Sequence, residues 1–132
     1  MTTAEPEIGA AADLETLGKQ LVRAAKGSRY RAAAQALASE RTVLAVPQVR
    51  RALVVERDWR PTCEWEGLMG KLYTLPLDEA QRRFLGLVLS MVGIGHVSLS
   101  AVADLDEERV RIITQAILTA AGSDSIAIGT RL

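Results

Sequence analysis

Phe84 to Ala103, FLGLVLSMVGIGHVSLSAVA, is a run of twenty residues without a charge, set between Arg82-Arg83 and Asp104. Twenty apolar residues is the length that spans a bilayer, so the run is either a membrane helix or the centre of a core. Its second half decides against the membrane. Gly93, Gly95, His96, Ser98 and Ser100 fall within eight positions, which lowers helix propensity and adds polar groups that hydrocarbon leaves poorly satisfied. The first half reads as a buried helix. Asp78 and Gln81 have the spacing of a capping box, and Ala80, Phe84, Leu87, Val88 and Met91 then share one helical face. Leu85, Leu89 and Val92 add an apolar strip beside it, and a helix apolar on most sides is normally central. Gly93 and Gly95 stop the helix, after which Ser98 or Ser100 can cap a short helix ending near Leu105.

Working outward, the rest of the chain also reads as helical. Leu14, Leu17, Leu21 and Ala24 or Ala25 recur at helical spacing, which predicts a helix over roughly Ala11 to Lys26 with Gly27 as its stop. Ser28 can cap a second, alanine-rich helix to about Ser39, with Tyr30, Ala33, Ala34 and Leu37 facing inward. Thr42 to Val46, TVLAV, reads as a short extended piece, because Pro47 pushes the preceding residue out of the helical region. A helix from Pro47 to about Arg57 follows, or else one longer helix kinked at Pro47. After the break at Arg60-Pro61, Thr62 can cap a helix carrying Trp65, Leu68, Met69 and Leu72. The last helix has Asp106 as its cap, Glu107 and Glu108 in its positive first turn, and Leu105 against Val110 in staple positions. Its buried stripe is Val110, Ile113, Ala116 or Ile117, and Ala120, ending at Gly122.

The expected fold is therefore all-α, a single compact domain of about six helices around a buried central helix, Ala80 to Val92. Thr42 to Val46 and Ser125 to Gly129, if both extended, would form one short pair. Residues 1–10 read as an acidic, disordered tail, 11–122 as the helical domain and 123–132 as a C-terminal arm. At 132 residues the chain suits one core, not two.

Composition narrows the function classes. Sixteen basic and sixteen acidic side chains cancel, so no global field draws the molecule to nucleic acid or an anionic membrane. The opening MTTAEPEIGAAAD lacks the basic and apolar regions of a secretory signal. Cys63 is the one cysteine, which fits a reducing compartment and excludes an internal disulfide. Thirteen arginines against three lysines, with abundant alanine, suggest a high-GC bacterial gene. The expectation is a cytoplasmic protein with no membrane partner. One cysteine and one histidine do not make a conventional zinc site, and no phosphate-binding glycine loop is present, so neither metal nor cofactor is expected.

Charge is segregated along the chain. Residues 17–60 carry ten bases against three acids, and residues 61–108 three bases against eight acids. The basic half could track phosphates, and Arg50, Arg51, Arg57 and Arg60 are then the nucleic-acid candidates. Equally, the two halves could pair within the fold or across a dimer. A helix-turn-helix over Ser98 to Ala121 is disfavoured, since its second helix would open with three carboxylates where phosphates and bases must be met. A Cys63-His96 catalytic pair would need a proximity that spacing alone does not show, and no enzyme activity is expected.

Trp59 to Trp65, WRPTCEW, holds both tryptophans. Tryptophan and arginine are favoured interface anchors, so Trp59, Arg60 and Trp65 are the partner-binding candidates. The plainer alternative is that Trp65 is core and Trp59 covers its edge. The function expected from these features is protein-protein interaction, as an adaptor or regulator that self-associates. A nucleic-acid-binding regulator is the second reading, and a small-molecule binder or enzyme the third.

Overall fold

The central helix forms as its residues imply. In α4, Glu79–Met91, the Asp78 side chain accepts from the Gln81 N–H at 2.8 Å and the Gln81 side chain accepts from the Asp78 N–H at 2.9 Å, closing the capping box. Six consecutive residues, 84 to 89, are buried, so the helix is enclosed on every side. Full burial of a side chain the size of Phe84 or Leu85 stabilises by about 1.5–3 kcal/mol each, and α4 concentrates several. It stops where expected, at Gly93, whose φ of 80° a side chain would oppose.

The computed structural model describes residues 7–95 and 97–129, with side chains from residue 13 onward. His96 and residues 130–132 lie outside the described residues, as does most of the stretch read as an N-terminal tail. The remainder of that stretch is helical, since α1 runs from Glu7 to Ala24. α2 is Ser28–Glu40, α3 Pro47–Leu53 and α5 Glu107–Ala120. Two short 3-10 helices, Trp65–Leu68 and Leu99–Asp104, complete the helical part. The fold is thus mostly helical, with one two-stranded antiparallel sheet. No described helix is long and apolar enough to cross a membrane.

α2 packs against α1, α4 and α5, and its alanines permit this. Ala32, Ala33, Ala34 and Ala36 are all buried together with Leu37, so three helices approach one thin helix. Tyr30, expected to face inward, is instead 36% exposed. α5 runs antiparallel to α2, for the ties at both ends require it: the Ser28 hydroxyl donates to the Ala120 carbonyl at 3.0 Å, and Arg109 pairs with Glu40 at 2.8 Å. Ser28 therefore serves as a cross-link, and Gly27, at φ 97°, takes the cap position.

The buried stripe of α5 is rotated from the expected one. Ile112, Ile113 and Ala116 are buried, whereas Val110 and Ile117 are 37% and 48% exposed. The ion pair gives the reason. Arg109 lies one turn before Ile112 and Ile113, on the same face, and turning that face to Glu40 carries Val110 and Ile117 outward.

Three segments between Glu40 and Leu75 depart from expectation. Thr42 to Val46 is a series of tight turns, with Ala45 N–H bonded to the Arg41 carbonyl at 3.0 Å and Val46 N–H to Val43 at 3.1 Å. Its apolar letters report burial of Val43 and Leu44, not a strand. Ser125 to Gly129 has no regular structure, so the pair anticipated between these segments does not form. α3 ends at Leu53, and the chain then makes a hairpin of β1, Val54–Arg57, and β2, Arg60–Cys63. Valines 54 and 55 favour a pleated surface over a helical one. A 3-10 helix at Trp65–Leu68, not a longer α-helix capped by Thr62, follows the hairpin.

Candidate interaction site

The hairpin presents the sharpest surface feature of the molecule. Its register pairs Val54 with Cys63, Val55 with Thr62, Glu56 with Pro61 and Arg57 with Arg60, leaving Asp58 and Trp59 as a two-residue turn. Both turn residues have positive φ, 53° and 65°, as a turn matched to the right-handed twist of two strands requires. Asparagine or aspartate followed by glycine is the usual pair there. Asp58 fits that preference, but Trp59 in a left-handed conformation carries strain of order 1 kcal/mol or more.

Trp59 gains no packing in return. It is 92% exposed at the tip of the turn. Burying such a ring would remove up to about 150–250 Å² of surface from water, so its exposure in the isolated chain leaves a large contact area unused. Arg60 is exposed beside it. Arg57 is drawn back along the hairpin to an ion pair with Glu64.

The base of the hairpin is held rigidly. The Glu64 N–H donates to the Leu53 carbonyl at 2.6 Å, β2 packs on α1, and α3 packs on the 3-10 helix. That last contact depends on Gly67. A Cβ there would lie 1.9 Å from the Ala52 carbonyl oxygen, so only glycine lets the two backbones meet. Trp65, 6% exposed, belongs to the core beneath the hairpin. The two tryptophans grouped by sequence therefore separate in space: Trp65 anchors the base and Trp59 stands clear of it, covering no edge.

The nucleic-acid candidates divide in the same way. Arg50 is half-buried and donates to the Leu44 carbonyl at 2.8 Å, and Arg57 faces Glu64. Arg51 and Arg60 remain exposed. Arg50 and Arg51 also occupy the last turn of α3, where cations offset the helix dipole. Cys63 is half-buried, and desolvation pushes its thiol up to about 12. A thiol so placed stays protonated at neutral pH and is a poor nucleophile. Among the described residues no group of three metal-ligating side chains occurs.

Two features escaped the sequence. One is a polar network at the joint of α2, α4 and α5. Glu40, whose side chain is 3% exposed, accepts from Nε and Nη2 of Arg109 at 3.1 and 2.8 Å, while Nη1 donates to Asp106 at 2.8 Å. Thr42 bonds Glu40 and accepts from the Gln81 amide at 3.1 Å. The Asp106 carboxyl is held below its usual value, first by the Arg109 hydrogen bond. The other is a cleft between α1, α2 and α5, whose lining comes from separated helices that no local spacing relates. Comparison with protein-family models, with curated proteins and with solved structures finds no match for this chain.

Proposed function

We propose that this chain is a small cytosolic bacterial protein that acts through protein-protein interaction, as an adaptor or regulator, and that it self-associates through the hairpin tip. One observation carries the reading: Trp59 is 92% exposed in a strained left-handed backbone and adds nothing to its own core. A ring kept in such a place is explained by what it contacts outside the chain, and tryptophan beside arginine is the composition of an interface anchor. The segregation of charge supports a second copy as partner, since the basic 17–60 segment of one chain complements the acidic 61–108 segment of another.

Trp59→Gly separates folding from assembly. Glycine accepts φ of 65° without strain, so the variant should be as stable as the parent or more so, by about 1 kcal/mol. Sedimentation velocity over a concentration series should show the parent as a dimer or larger species and the variant as a monomer. Tryptophan emission reads the same event, because Trp65 is already buried and only Trp59 can shift to the blue on association. A parent that stays monomeric throughout, or an oligomer indifferent to Trp59→Gly, overturns the proposal.

A further inference from the structure

A cleft of about 880 Å³ lies between α1, α2 and α5. Its size is that of a small-molecule site. The floor is apolar and low, formed by Val22, Ala36, Ile112 and Ala116, with Ile128 of the C-terminal segment at one side. Ala36 and Ala38 give the α2 wall small side chains.

The rim is cationic. Lys19, Arg23, Arg41 and Arg111 line it, against two carboxylates, Glu15 and Glu108. Lys19 is matched by Glu15 at 3.4 Å, whereas Arg23 and Arg41 take no ion pair among the described residues. Arg41, the C-cap of α2, has φ 72° and ψ −40°, a positive-φ backbone that glycine adopts more readily than any residue with a side chain. A guanidinium is thereby kept at the cleft on a backbone that disfavours any side chain.

We propose that the cleft binds an amphiphilic organic anion, its carboxylate or phosphate head received by Arg41 at one end of the rim and its apolar body laid on Ile112 and Ala116. Guanidinium groups suit both heads, through paired N–H donors. The apolar floor selects against simple inorganic anions, which have nothing to place there. This inference is independent of the hairpin, so Trp59→Gly leaves it untouched.

The test is calorimetric titration of the full-length protein with decanoate and with decyl phosphate, each below its micelle concentration, and with decanol as the neutral control. Saturable binding of at least one anion, weaker by about tenfold or more for decanol, is expected from the loss of a charge-assisted contact. Arg41→Gly removes the guanidinium while suiting the backbone, and Gln115→Trp fills the cleft from an exposed position on α5. Both should weaken the anion by about tenfold or more, with circular dichroism reporting that they remain folded. No saturable binding of either anion by about 1 mM, equal affinity for decanol, or binding unchanged in both variants overturns the proposal.

Discussion

Replacing Arg109 by methionine should destabilise the chain by about 3 kcal/mol, and the figure follows from what is left behind. Methionine preserves the apolar stem but removes all the donors that Glu40 receives from α5: Nε and Nη2 at 3.1 and 2.8 Å. The Glu40 side chain is only 3% exposed, so water does not readily replace them. Removing one partner of a buried ion pair typically costs about 3–5 kcal/mol. The lower end applies here, because the Glu40 carboxylate keeps the Val43 N–H at 2.8 Å and the Thr42 hydroxyl. Urea denaturation is the assay. With a slope of about 2 kcal/mol/M, the midpoint should fall by roughly 1.5 M, a large part of the stability of a domain this size. Glu40→Gln/Arg109→Met should recover much of the loss, since an amide in place of the carboxylate leaves no buried charge unpaired. If Arg109→Met costs less than about 1 kcal/mol, the pair behaves as a solvated surface bridge. The account of how α5 is rotated into place would then fail with it.

Gly67→Ala tests the seat of the hairpin. A Cβ placed 1.9 Å from the Ala52 oxygen forces α3 and the 3-10 helix apart, and a cost of about 3 kcal/mol should lower the thermal midpoint by roughly 10 °C; an unchanged midpoint refutes the close contact. Asp106→Asn tests the acid limb of stability. The folded-state pKa of Asp106 is depressed, chiefly by Arg109, so its contribution is complete above the unfolded value of about 3.9 and lost as pH falls through the folded value. Asparagine keeps the helix cap, so in urea titrations the parent should exceed the variant near pH 6 and converge with it towards pH 2. A gap that stays constant over that range refutes the assignment.

The helices were legible because their signals are local. Asp78 with Gln81, Asp106 with the carboxylates after it, and Gly93 each act within one turn. The hairpin was hidden for an equally local reason: its turn is Asp58-Trp59, and the glycine or asparagine that marks such turns is absent from the position that strains most. The letters that obscured the strands are thus the ones that expose the anchor. A glycine at residue 59 would have announced the turn and removed the ring.

Long-range pairing explains the other omissions. Glu40 and Arg109 are sixty-nine residues apart, and a lone glutamate ending an alanine-rich helix gives no sign that it is buried. Its acidic charge at the C-terminus of α2 opposes the helix dipole, which is tolerable only because Arg109 meets it. Arg41, next to Glu40, takes a positive φ, and the two neighbours part: the carboxylate goes to Arg109 at the joint and the guanidinium to the cleft. If Gly were at residue 41 the backbone would relax and the joint would keep its ion pair, so stability gives no reason for arginine there. A ligand in the cleft does, and the same reasoning, a strained backbone carrying a side chain its own fold does not use, applies independently to Trp59.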